Sequence, residues 1–351
     1  MSEPAKPRAP EGARGADAAP APAGGPAGLV AREVQGTAIA KALAVVGPLV
    51  AAFLVAEEPA LLNLSLLAMA LLIPAMKLGL GPKAVTGHFL VVLAAFGMLF
   101  LVFPHKGLFV AATALAAFLA VAVTRHGARL RTLGNWTFIP AVYLACEIRE
   151  APSGAALAQA QAFLMSAPLA LGLVLLVQAL ERRGGAPAPA LFGPVRSGWI
   201  APACATALAV LAAAALVEAL DLDQGQWVIW SAASVVVGDL SETSQKLKLR
   251  AMGAVIGAPL GLALGLLLPE SRIGYTLAVL AALLTLIAFS RYVVGFGARC
   301  FFIALAASLA GIGSGIAEER VENVILGGAF GLLAVILTEW GARRLARRAA
   351  A

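Results

Sequence analysis

Trp227-Val-Ile-Trp230-Ser-Ala-Ala-Ser-Val-Val-Val-Gly-Asp239-Leu-Ser-Glu242-Thr243-Ser-Gln-Lys246-Leu-Lys248-Leu-Arg250-Ala-Met-Gly253 is the stretch whose reading decides the fold. An apolar run enters it, a turn carrying acids and bases interrupts it, and a second apolar run leaves with glycine at 253, 257, 261 and 265. A helix that satisfies its own backbone is one of the few structures able to cross a bilayer, so two such runs joined by a charged turn read as a helical hairpin through lipid. Glycine at every fourth position makes one smooth helix face, and in lipid it is packing contact that drives helix association. Gly253, Gly257, Gly261 and Gly265 are therefore read as a helix-packing stripe.

The same pattern extends outward in both directions. Of the 351 residues, 61% are hydrophobic and 13% charged, against roughly 45–50% and 25% in soluble domains. A water-soluble chain of this length has no interior for so much apolar surface. Continuous apolar runs fall at 38–56, 60–76, 84–103, 107–124, 131–147, 156–180, 199–219, 225–239, 251–268, 273–289, 292–312 and 323–341. Asn135 interrupts the fifth, and Asp239 closes the eighth after a short stretch. None alternates with the period of two that a transmembrane β-barrel needs. The expectation is an all-α polytopic membrane protein with about 12 transmembrane helices.

Positive charge sets the orientation, because short cytoplasmic loops hold the excess of Lys and Arg. With the N-terminus inside, 22 of the 26 basic residues fall on the cytoplasmic side. Lys106, Arg149, Arg272 and Arg320 are the four that fall outside. Both termini are thus expected in the cytoplasm of a bacterial inner membrane. The net charge of +7 follows from this topology signal and calls for no nucleic-acid partner.

An offset of 166 residues superimposes the two halves: Gly87 falls on Gly253, Arg125 on Arg291 and Glu57 on Asp223. The implied organisation is a disordered cytoplasmic tail over 1–36, a six-helix repeat over 37–181 and a cytoplasmic linker over 182–198. A second six-helix repeat over 199–342 and a basic tail over 343–351 complete it. An even helix count per repeat makes the two repeats parallel, related by an axis along the membrane normal.

Candidate ligand groups are the polar residues inside the apolar runs. A charge at mid-bilayer costs about 2.5–3.5 kcal/mol on insertion scales, so one that persists faces a cavity, a partner or the headgroups. Arg299 can hold a carboxylate through a paired fork of hydrogen bonds, or it can snorkel to the cytoplasmic surface. Asn135 and Trp136 fall at a similar depth in the first half, offering a polar contact and a ring to stack on. Lys246 and Arg250, with Thr243, read either as topology signal or as an anion-attracting entrance. Asp239, Glu242 and His88 are candidates for proton coupling. The competing readings are a Glu242–Lys246 salt bridge at helical spacing and a hydrogen-bonded packing role for His88. Glu147 is the other acid near an apolar run, while Thr338 and Glu339 cap the last helix or face water.

Enzyme signatures are lacking. There is no HExxH, GxSxG or GxxxxGK[ST], and His88, His105 and His126 are too dispersed for a metal triad. Cys146, Cys204 and Cys300 lie in apolar runs without metal or redox spacing and read as packing residues. No metal and no cofactor are expected.

Aromatic residues entering a helix, a polar turn with Thr243 and Lys246, then Arg250, Gly253 and Gly257, and a hairpin broken at Arg291-Tyr292 resemble the fusaric acid resistance protein family. Arg320-Val-Glu-Asn323, followed by Gly327 and Gly328, is similar to that family's final helix. The resemblance is strongest over 225–340 and weaker over 37–181. It implies export of aromatic carboxylic acids, often beside a periplasmic adaptor of the membrane-fusion type, and plant aluminium-activated malate transporters resemble it more distantly. The sizeable cytoplasmic domains that such exporters carry after each six-helix set are not expected from this sequence.

The expected function is secondary export of small organic, aromatic carboxylic acids, with proton coupling. A passive organic-anion channel and a non-transporting scaffold for an adaptor are the competing readings. Either the two repeats of one chain complete the pore, or a homodimer does.

Overall fold

The computed structural model describes residues 33–150, 154–181, 191–195, 197–312 and 315–350. Most of the expected N-terminal tail and of the 182–198 linker lie outside the described residues. Among those described, the chain is all-helical, without a strand. The helices are α1 (Gly36–Ala56), α2 (Ala60–Leu78), α3 (Pro82–Val102), α4 (Lys106–Ala122), α5 (Arg131–Arg149) and α6 (Ala156–Glu181). They continue with α7 (Ile200–Leu220), α8 (Gln226–Val235), α9 (Leu240–Leu267), α10 (Arg272–Leu284), α11 (Tyr292–Leu309) and α12 (Gly315–Ala350). Each apolar run becomes one helix. The last continues through the expected basic tail, with an Arg343–Glu339 ion pair one turn apart.

Nine of these helices are long and apolar enough to cross a membrane. The others are α5, α8 and α10. Arg131, Glu147 and Arg149 lower the hydropathy of α5, and α8 has only 10 residues, nearly all buried. Both are shielded from lipid by neighbours, so their composition need not be that of a lipid-facing span.

The packing follows one pattern twice. In the first half α2 packs on α1 and α6, and α5 on α3 and α4; in the second half α8 packs on α7 and α12, and α11 on α9 and α10. Between the halves, α4 meets α7 while α10 meets α1, and α5 touches α8.

Ion pairs mark those inter-half contacts in matching places. Glu57 and Asp221 end α1 and α7, each in the left-handed conformation. Lys106, at the start of α4, pairs with Asp221, and Arg272, at the start of α10, pairs with Glu57. The same cations reach terminal carbonyls: Lys106 Nζ donates to Glu218 at 2.8 Å, and Arg272 Nη2 to Leu54 at 2.9 Å. Cations at helix C-termini satisfy orphan acceptors and complement the helix dipole.

The glycine stripe of α9 lies against α11. A Cβ added to Gly257 would lie 2.1 Å from the Gly297 carbonyl oxygen, and one on Gly261 2.1 Å from that of Phe301. At Gly265 it would lie 2.4 Å from Ser308 Cβ, while at Gly253 the nearest atom, the Gly297 nitrogen, is 3.0 Å away. Only hydrogen fits at the tighter positions, so the backbones approach closely and gain dispersion contact.

Two helices stop before their apolar runs do. α8 ends at Val235, and Val236 turns extended; α10 ends at Leu284, seven residues short of Arg291. Local partners take up the released backbone groups. Val236 O accepts from Arg131 Nη2 at 2.6 Å. The segment before α1 lies along the other break, where Gln35 N donates to Ala288 O at 2.8 Å and Ser290 N to Glu33 O at 2.9 Å. Glu33 closes the clasp on Arg291, whose backbone N–H and guanidinium hold the carboxyl below its usual range.

Candidate functional site

A cavity of about 560 Å³ lies between the two halves. It is lined by the beginnings of α2, α6, α8 and α12, the end of α5, and parts of α10 and α11. A polar interior between apolar helices is where a membrane protein can hold a polar ligand out of lipid.

Arg299 of α11 and Arg320 of α12 both line it. Arg320 is 4% exposed, and its Nε and Nη1 are buried without a hydrogen-bond partner. Arg299 makes one good bond, from Nε to Thr285 Oγ1 at 3.3 Å. Among the described residues neither guanidinium has a carboxylate in ion-pair contact.

Aromatic rings face the same space. Trp227 and Trp230, one turn apart on α8, stack at 5.0 Å with 19° between planes, and Tyr143 of α5 meets Trp227 edge-on at 5.2 Å. The Arg320 guanidinium lies over Trp227. Gln224 braces this corner, accepting from Trp227 Nε1 at 3.1 Å through its side chain and from Asn323 Nδ2 at 3.4 Å through its carbonyl. Glu147, Glu150 and Glu319 also line the cavity. Chemically, the site offers two cations for an anionic group and flat apolar faces for a ring.

Residues 211–334 match the fusaric acid resistance protein-like family. The match covers about a third of the chain and includes Trp227, Trp230, Arg250, Arg299 and Arg320. Members of that family are membrane transport proteins, and the described chain is polytopic, helical and membrane-type. No curated protein and no solved structure matches the chain.

Of the residues singled out in the sequence, Arg299 and Glu147 line the cavity. Asn135 and Trp136 do not: they occupy the first turns of α5, whereas the cavity is lined from Tyr143 onward. Thr243, Lys246 and Arg250 come together on α9, away from the cavity lining. The expected Glu242–Lys246 bridge is not formed; Lys246 lies over the Tyr292 ring instead, 5.6 Å from its centre. Asp239 is the N-cap of α9, accepting from Glu242 N at 2.9 Å. His88 is buried, its Nε2 3.1 Å from Thr137 Oγ1, in the α3–α5 contact. Cys146, Cys204 and Cys300 are free thiols. Among the described residues no three His, Cys, Asp or Glu side chains cluster as metal ligands would.

Sequence reasoning passed over Arg320, Tyr143 and Tyr275 as cavity residues. Arg320 carried a signal, being one of four basic residues on the charge-poor side. The structure accounts for all four: Lys106 and Arg272 cap helices, Arg149 lies 5.0 Å from the centre of the Phe100 ring, and Arg320 faces the cavity.

Proposed function

We propose that this protein exports small organic anions, aromatic carboxylates first among them, by binding them in the inter-half cavity. The observation that carries the proposal is the pair of cavity-lining guanidinium groups, Arg299 and Arg320, without ion partners beside Trp227, Trp230, Tyr143 and Tyr275. A carboxylate offers these guanidinium groups the paired hydrogen bonds that no cavity acid makes with them, and the attached ring gains the apolar face. The family match over residues 211–334 supports transport as the activity class.

In this proposal the halves act as two six-helix repeats about an axis along the membrane normal. The recurring helix contacts and the reciprocal Lys106–Asp221 and Arg272–Glu57 pairs support it. With both termini in the cytoplasm of a bacterial inner membrane, the helix ends that line the cavity lie on the periplasmic side. Proton coupling falls to a carboxylate that shares space with the substrate, and Glu147 is placed for it. Asp239 is tied into the start of α9 and takes a capping role.

Resistance to aromatic acids in cells carrying Arg299→Ala or Arg320→Gln tests the binding assignment. Loss of efflux at normal expression is expected, and unchanged efflux would overturn it. For coupling, proton-driven uptake into inverted vesicles should be lost in Glu147→Gln and kept in Asp239→Asn; the reverse result returns the role to Asp239.

A further inference from the structure

Deeper in the bundle, at the break between α8 and α9, a second group of cations meets no acid. Thr243, Lys246 and Arg250 share one face of α9, three and four residues apart. Arg131 approaches them from the first turn of α5, reaching the Val236 carbonyl four residues before α9 begins. Arg250 is 4% exposed and Thr243 fully buried.

The bonds these groups make leave capacity unused. Arg131 Nη2 donates to the Val236 carbonyl at 2.6 Å. Arg250 donates to the Tyr292 hydroxyl at 3.1 Å and, at 3.4 Å, to Ser231 Oγ. Arg131 Nε, Arg250 Nε and Thr243 Oγ1 are buried with no partner. Of the carboxylates at this end of α9, Asp239 caps the helix, Glu339 binds Arg343 and the Leu240 N–H, and Glu242 is exposed and makes no ion pair with Lys246. Among the described residues none of the three cations has an ion pair. Three like charges in a largely water-excluded place repel one another, and ring contacts soften that repulsion without cancelling it. An anion entering among them would cancel it and satisfy the orphaned donors.

We propose that Arg131, Lys246 and Arg250, with the Thr243 hydroxyl, form a second binding site for organic carboxylates, one station inward of the cavity. This inference rests on the organic-anion reading of the cavity and adds a separate place to it. The Phe296 ring touches both stations, with Arg250 4.3 Å and Arg299 5.9 Å from its centre. The two stations thus share one ring as a common neighbour. The first station joins residues of both halves, so any movement of one half against the other opens or tightens it.

Equilibrium binding of radiolabelled benzoate to the purified full chain in lipid nanodiscs tests this. Two bound benzoates per chain are expected. Lys246→Gln and Arg250→Gln should each lower the count to one, and Arg320→Gln should remove the other. Lys246 is only partly buried, so its variant should fold even if the Arg250 variant does not. A single benzoate, lost in Arg320→Gln and unaffected by Lys246→Gln, would overturn the second site and leave the cavity reading standing. A single benzoate lost in Lys246→Gln and unaffected by Arg320→Gln would instead overturn the cavity reading. Absence of binding in the unsubstituted protein would overturn both.

Discussion

The Arg320 guanidinium lies over the Trp227 indole, its central carbon 3.7 Å from the ring centre. This contact joins α12 to α8 and gives the cavity a cationic and an aromatic surface at one point. Stacking on an aromatic face leaves the planar edge of a guanidinium free to donate, which an ammonium cannot do in the same way. Arg320→Lys should therefore keep the charge and lose most of the binding. A charge-assisted hydrogen bond contributes about 1.5–3 kcal/mol, so a loss of roughly 10- to 100-fold in benzoate affinity is expected. Titration calorimetry on the variant checks it, and tryptophan emission reports the changed surroundings of Trp227.

Asn135 offers the matching negative. It lies outside the cavity lining, so Asn135→Ala should change benzoate affinity less than twofold, an effect of under about 0.4 kcal/mol. A tenfold loss in the same calorimetric assay would place the ligand elsewhere.

Close helix packing leads to a stability prediction. A Cβ at Gly257 or Gly261 would lie 2.1 Å from a carbonyl oxygen on α11, whereas nothing stands within 4 Å of the position at Gly97. Overpacking costs about 1–3 kcal/mol, while relieving a mid-helix glycine stabilises by up to about 1 kcal/mol. Gly257→Ala should lower the midpoint of thermal unfolding in detergent, and Gly97→Ala should leave it level or raise it. Gly134 belongs with the first class, since its Cβ would lie 1.7 Å from Ala120 O.

The two inter-half ion pairs should behave alike. Both are solvent-accessible, so Lys106→Gln and Arg272→Gln should each cost no more than about 1 kcal/mol. They belong to different helix contacts, and the double variant should be additive to within about 0.5 kcal/mol. Urea denaturation of the four proteins in mild detergent measures this.

Glu150, just past the end of α5, introduces a pH dependence. Partial burial first, then the charges of Glu147 and Asp223, push its carboxyl up to about 7. The folded protein consequently holds a proton that the unfolded chain has lost between the ordinary carboxylate range and about pH 7. Stability from this group is greatest below that window, falls as pH rises through it, and levels off above. Unfolding midpoints from pH 4 to 8 should show the fall, and Glu150→Gln should flatten it. Benzoate affinity should also drop between pH 6 and 8 as a negative charge appears in the cavity lining. A unit charge on the order of 10 Å away in water-like surroundings makes that drop about twofold.

How much of this was legible depended on how local each signal is. Apolar runs and flanking charges marked all twelve helices. They overran α8 and α10, because Val236–Val237 and Leu286–Ile287 are as apolar as any helix. Those helices end where Arg131 and the 33–35 segment accept and donate the released hydrogen bonds, and such partners are remote in sequence. The α9 glycines were legible from spacing, but Gly134 was not, since one glycine has no period. Arg299 was found because an arginine inside an apolar run is conspicuous. Asn135 and Trp136 were equally conspicuous, yet they sit nearer the start of α5 than the cavity does.

The sequence by itself determined what is set by transfer from water to lipid: a helical, polytopic membrane chain, because this follows from each segment's own composition. Only the tertiary structure decided which polar residues meet. Arg320 stands over Trp227, Arg131 reaches the Val236 carbonyl just before α9, and Lys246 lies over the Tyr292 ring without pairing with Glu242. The physical reason is that helix composition constrains depth in the bilayer, whereas rotation about the helix axis and the choice of neighbour are set by packing between segments far apart in the chain.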